Sequence, residues 1–390
     1  MVEKGYIMLL NEKGETIEMT KNYQIPPDAF DYIIYAEGNV VKAKNGKSGR
    51  VEFEDTDAAS VINQSLQVQI SDNTQKKRVV LVGCFEITNT IKIPDYTILD
   101  LRQAYLKPAD NANVDIIRNA DTVNGNQQIE ILGGIIDGNK ANQSTSGIAG
   151  IKITRGSDIK IIGTEVKNCY GDGIWVFQEV YRVKIDKVYS YDNGRAGIFI
   201  DTDNLDIDTN DTITNSVVAS NESHGVHISD VLNVEVKNVI SRSNGQNGFY
   251  IEDSQHIIVA DSIAYNNSGH GIVVLNSRTE TGYNIAKGCI SRNNGSYGIL
   301  VRQSQFNTIE ACHCIGNSSH GLYADNLGTT PYSLHNSVIG CKFINNGGYG
   351  LQTAGASDYW LIDGCFFSGN TSGAYSLAGT NNVVGDVLSV

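Results

Sequence analysis

The chain has no apolar run of transmembrane length, which excludes a helical membrane protein. Tyr6–Leu10 is too short for the centre of a signal peptide. Export is therefore expected to be absent, to have involved a leader since removed, or to follow a non-classical route such as virion assembly. The expected location is extracellular or virion-associated. Positive charge is short as well: 30 Lys and Arg against 43 Asp and Glu leave a net charge of −13. That balance argues against a nucleic-acid or anionic-membrane binder. It also weighs against an acidic polysaccharide unless the groove is locally basic or a cation bridges. A disulfide framework is missing too. Of the seven cysteines, Cys289, Cys312 and Cys341 each stand nine residues before a recurring glycine, which predicts a buried thiol stack. In Cys312-His313-Cys314, strand alternation sets His313 opposite its neighbours and so argues against zinc.

What the chain does have is glycine, 40 of 390 residues, and a phrase that returns: Asn, three variable residues, Gly, then a hydrophobic strand. The ladder asparagines are Asn193, Asn221, Asn244, Asn267, Asn294, Asn317 and Asn346. Their glycines are Gly197, Gly225, Gly248, Gly271, Gly298, Gly321 and Gly350, with steps of 28, 23, 23, 27, 23 and 29 residues. Gly150 and Gly173 extend the register upstream, and Gly373 extends it downstream. A period near 23 with short strands means one coil of a β-solenoid per repeat. After each glycine, positions +1 (Ile174, Ile198, Val226, Phe249) and +3 (Val176, Ile200, Ile228, Ile251) alternate as an inward face would. The Asn column reads as an amide ladder at a tight bend, where asparagine tolerates left-handed backbone.

Residues 1–54 fall outside the repeat and are expected as a small N-terminal module or cap, with the solenoid domain over 55–390. Asn45-Gly46 and Ser48-Gly49 suggest turns between short strands. Asp55-Thr56-Asp57 opens an amphipathic helix with Ala58, Val61, Ile62 and Leu66 on one side, placed to plug the open end of the solenoid. The apolar C-terminal stretch SLAGTNNVVGDVLSV is expected as a last coil or an edge covered by another subunit.

The capping phrase DTDAASVINQSL, the IIDGN phrase and the GDGI and SHGV coils resemble the right-handed parallel β-helix superfamily of carbohydrate-active proteins over about Asp55–Gly373. That group includes pectate-lyase-like enzymes, polygalacturonases, alginate epimerases and phage tailspike depolymerases. The resemblance implies an all-β, right-handed parallel β-helix acting on a polysaccharide. SHGVHI is similar to the Gly-His-Gly phrase of polygalacturonases and puts His224 at their histidine, although Ser223 replaces the first glycine and no Arg-Ile-Lys follows. Tyr170-Gly171-Asp172 is similar to the epimerases' catalytic phrase without its Pro-His.

Chemistry has to sit in the outward columns. Lys152, Trp175, Phe199, His227, Tyr250 and, farther on, Tyr323 share position +2. With coils about 4.8 Å apart, Trp175 through Tyr250 form a stripe flanked by Asp172, Arg195, Asp201, His224 and Glu252. Ring faces suit the apolar faces of sugars, and imidazoles and carboxylates move protons. The bland alternative is stray aromatics or a subunit contact. For elimination or C5-epimerisation of a uronate, Lys152, Arg195 or Ca2+ would neutralise the carboxylate, and His227, His224 or Tyr250 would take the proton. For inverting hydrolysis, Asp201 and Glu252 stand two coils apart, about 9.6 Å. The longer coils add loops on the same side. The first carries Asp201, Asp203, Asp206 and Asp208, a candidate Ca2+ site or else a solvated acidic loop. The non-enzymatic rival is a glycan-binding adhesin or viral tail fibre, and the assembly is left between a homotrimer and a monomer.

Overall fold

A computed structural model describes residues 8–10, 16–18, 30–68, 75–202, 208–276, 282–326 and 332–390. Within them the chain winds as a parallel β-solenoid with an α-helix, Ala58–Gln67, at its N-terminal end. Each regular coil contributes three short strands. Phe249–Glu252, Ile258–Ala260 and Ile263–Tyr265, for example, lie in register against Ile272–Leu275, Ile285–Lys287 and Ile290–Arg292 of the next coil. The first strand of each coil builds the sheet that carries the candidate site. The inward residues after each glycine, Ile174, Ile198, Val226 and Phe249 among them, are buried in one continuous core.

The amide ladder is the bracing at one bend. Asn193, Asn221, Asn244, Asn267, Asn294 and Asn317 each donate from Nδ2 to Oδ1 of the next rung at 2.9–3.0 Å. Asn370 adds a rung that the repeat had not shown, accepting from Asn346 at 2.8 Å. Left-handed backbone was expected at the ladder asparagines. It falls instead one residue earlier, at Asp192, Ser220, Ser243, Asn266 and Asn293. The chain reverses there, and this leaves the asparagine free to turn its amide into the stack. The glycines serve close approach. A Cβ on Gly248 would meet the Gly271 carbonyl oxygen at 2.6 Å and the Asn267 amide nitrogen at 2.9 Å. A second ladder, Asn284, Asn307 and Asn336, runs along another bend.

The thiol stack is present and longer than expected, because Cys365 joins Cys289, Cys312 and Cys341 in the core. At the N-terminal end, Tyr32–Glu37 pairs parallel with Lys77–Ile87 and antiparallel with Val40–Asn45, which in turn pairs with Val51–Asp55. Of these strands, Tyr32–Glu37 hydrogen-bonds directly to the first coil, and the other two extend the sheet from it. Asp57 caps the helix, accepting from the Ala59 amide at 3.1 Å. Its buried face holds Ala58, Ala59, Val61, Ile62 and Leu66. Lys77 Nζ donates to the Ser65, Leu66 and Val68 carbonyls at the other end, where burial lowers its pKa to about 8. At the C-terminus, Gly373–Ser376, Val383–Val384 and Val387–Ser389 form a last coil. No strand lies beyond it among the described residues, and Val383 and Leu388 are 60% and 59% exposed. Just inside that coil, Trp360 is fully buried and its Nε1 donates to the Ser333 carbonyl at 2.8 Å.

Candidate active site

Strand register places Lys152, Trp175, Phe199, His227 and Tyr250 in one outward column on consecutive coils, as the spacing predicts. Their rings face each other along the solenoid. Trp175 and Phe199 stack at 5.9 Å, Phe199 and His227 at 4.4 Å, and His227 and Tyr250 lie tilted at 4.9 Å. Lys152 Nζ sits 3.7 Å over the other side of Trp175. Phe199, 7% exposed, therefore has both faces covered and is a spacer in a spine rather than a platform for a sugar. The expectation that these ring faces receive sugar rings gives way to a stripe that presents ring edges.

Beside this spine, Asp172 is buried, and Arg195 reaches it from solvent with Nη1 3.2 Å from Oδ2. The other carboxylate oxygen accepts the Ala196 amide at 2.9 Å. Burial raises the Asp172 pKa against the pull of Arg195, whose guanidinium lies 6.0 Å and 5.9 Å from the Trp175 and Phe199 ring centroids. Asp172 belongs to a column whose side chains cap a backbone amide of the next coil. His224 Nδ1 faces the Asn247 amide at 3.4 Å, Asn247 Oδ1 accepts the His270 amide at 2.9 Å, and His270 Nδ1 accepts the Tyr297 amide at 3.2 Å. Burial lowers the His224 pKa to about 3. Its basic nitrogen is turned to the backbone, so His224 is better suited to position Tyr250, on which it stacks at 4.4 Å, than to accept a substrate proton. The capping role of Asn247 was not singled out from the sequence. The hint was that Asp, Asn and His recur in that column, at Asp172, His224, Asn247, His270 and His320.

His227 differs. Its Nε2 lies 3.4 Å from Glu252 Oε2, yet it is buried with no well-directed hydrogen bond among the described residues. The approach is close but poorly aligned for a hydrogen bond, and it acts through charge. His227 holds the Glu252 carboxyl below the usual carboxylate range, and burial pushes the Tyr250 phenol well above its ordinary value. Asp201 lies in the same column as Glu252, with Ser229 between them. Tyr323 stands apart. Val273 and Leu300, both buried, occupy the two intervening coils, and Tyr323 packs on Tyr297 at 4.6 Å and His320 at 5.3 Å.

Of the four expected calcium ligands, Asp203 and Asp206 lie outside the described residues, as do the tips of the three longer loops at 203–207, 277–281 and 327–331. Asp208 Oδ1 accepts from Asn233 Nδ2 at 2.9 Å. Asp211, at the end of the same acidic run, is buried and accepts the Val183 amide at 2.7 Å. Burial raises its pKa to about 8. Among the described residues no three His, Cys, Asp or Glu side chains converge as a metal site.

The family model described as "Right handed beta helix region" matches residues 82–233 and 224–387. The chain belongs to the right-handed β-helix family. No curated protein matches it. Among solved structures it is similar to the A-module of mannuronan C-5 epimerase AlgE6 from Azotobacter vinelandii, with TM-score 0.75, 18% identity, and 86% of this chain and 95% of that chain covered. The AlgE4 A-module of the same organism gives TM-score 0.72 and 17% identity over 84% and 96%. The Dettilon tailspike protein gives TM-score 0.64 and 16% identity over 84% and 67%. At these identities the likeness establishes the fold.

Proposed function

We propose that this β-helix protein is a polysaccharide-processing enzyme, a lyase or C5-epimerase for a uronate-containing glycan. The observation that carries the reading is His227, whose poorly bonded Nε2 lies beside the ionised Glu252 and one coil from a protonated Tyr250. Arg195 and Lys152 stand on the same strip and would neutralise a substrate carboxylate, which makes the adjacent C5 proton easier to remove. His227 takes that proton at Nδ1, the ring nitrogen turned away from Glu252, and Glu252 beside Nε2 stabilises the resulting imidazolium. In elimination the electron pair left at C5 expels the oxygen at C4, which Tyr250 protonates. In epimerisation the proton returns to C5 from water on the opposite face, because Tyr250 stands beside His227 in the same column and on the same side of the sugar.

The solved folds named mannuronan C-5 epimerases support a glycan substrate and this reaction class, and the tailspike supports an extracellular or virion-associated setting. The hydrolytic alternative needs a protonated carboxyl at Asp201 or Glu252, and the environment of Glu252 keeps it ionised. The test is incubation with polymannuronate, pectate and a neutral glycan. Ultraviolet absorbance of an unsaturated sugar marks a lyase, and solvent hydrogen exchange at C5 without chain cleavage marks an epimerase. New reducing ends without unsaturation would mark a hydrolase. Binding with no product would mark an adhesin or tail fibre and overturn the enzymatic reading. Loss of turnover on chelation would support calcium at the Asp201–Asp208 loop.

A further inference from the structure

The +2 column does not begin at Lys152. Arg118 is the register partner of Lys152 on the preceding coil, and Lys92 is the partner of Arg118 on the coil before that. The repeat hid both, because these coils precede the regular 23-residue spacing. Lys92, Arg118 and Lys152 thus follow one another at about 4.8 Å intervals and lead straight into Trp175, Phe199, His227 and Tyr250.

Three like charges at that spacing repel unless anions lie near them, and the neighbouring anions are few. Asp115 is buried, accepts the Ala149 amide at 3.0 Å, and is 3.7 Å from Arg118 Nη1. Asp172 is committed to the Ala196 amide and to Arg195. Arg118 Nε is buried without a hydrogen-bond partner among the described residues. Lys152 Nζ meets the Gly147 carbonyl at 3.3 Å and the Trp175 ring, and neither Lys152 nor Lys92 makes an ion pair among the described residues. On a chain of net charge −13 this is a local concentration of cations in line with the candidate centre.

We infer that Lys92, Arg118 and Lys152 form a cationic rail that binds consecutive carboxylates of an anionic glycan laid along the solenoid axis, on the N-terminal side of His227. This rests on the glycan reading above and deepens it. The glycan must be acidic, several units must occupy one side of the centre, and affinity must grow with the number of carboxylates that reach Lys92.

The experiment is calorimetric titration of the whole chain with polymannuronate oligomers of increasing length and with the same oligomers after reduction of their carboxyls. Wild type is expected to gain affinity with length for the acidic series only. Lys92→Gln combined with Arg118→Gln should weaken the longest acidic oligomer by roughly fivefold. Arg118→Lys with Lys92 intact should retain most of the affinity, and an unchanged thermal midpoint shows that each variant is folded. If acidic oligomers bind but the double variant binds them as wild type does, the rail is overturned and the uronate reading stands, whereas equal binding of the reduced oligomers overturns both. If neither these oligomers nor pectate oligomers bind the wild type, both fall.

Discussion

At the scale of single residues, the site separates side chains that look alike in sequence. His224 and His227 lie in one strand phrase, yet one faces a backbone amide and the other faces Glu252. His227→Gln should reduce turnover about a hundredfold on the substrate that wild type converts, with the thermal midpoint little changed, because an amide fills the space between Phe199 and Tyr250. An alanine there would also lose the stacking contacts, so it is the poorer probe. The histidines also set an acid limit. His224 and His270 are held neutral by burial, with pKa lowered from 6.5 to about 3 and about 4. The unfolded chain therefore takes up these protons first. Their contribution is intact above pH 6.5 and is lost as pH falls toward 4 and then 3. His270→Asn should blunt that loss, since Asn247 already caps the next coil's amide from the same column. Denaturation midpoints of both proteins across this pH range decide it.

At the scale of the coil, the ladder and the glycine column are two halves of one device. Asn244 donates to Asn267 and Ser241 and accepts from Asn221, all buried. Asn244→Ala leaves those groups without partners and should cost about 3 kcal/mol in denaturant unfolding, with the groove sheet otherwise intact. Gly248→Ala drives a methyl group into the Gly271 carbonyl and should cost about 2 kcal/mol, although alanine is a conservative change almost anywhere else. The repeat made both columns readable, because a spacing fixed at about 23 residues can only mean equivalent positions stacked. It could not place the left-handed residue one step earlier, since Asp, Ser and Asn all tolerate that backbone and nothing in the pattern favours one register over its neighbour.

For the whole molecule, periodicity revealed the solenoid, its capping helix and the alignment of Trp175 with Tyr250, because each follows from counting. It did not reveal which way the rings face, and Phe199 turned out to be a covered spacer. Nor did it reach Lys92 and Arg118, whose coils are irregular in length and pair through register alone. The thiols offer a global check. Cys84 is exposed and the other six are buried, so a thiol reagent should label one cysteine on the native chain and seven after denaturation. The two tryptophans extend this to optics. Trp175 stands in the proposed groove under Lys152, and Trp360 is sealed into the penultimate coil against Ser333. Intrinsic fluorescence therefore has two spatially separate sources. Trp175→Phe would leave an emission that tracks only the fraying of the C-terminal end, and Trp360→Phe would leave one that tracks only occupancy of the groove. A single instrument could then say whether ligand and end-fraying are coupled along the spiral.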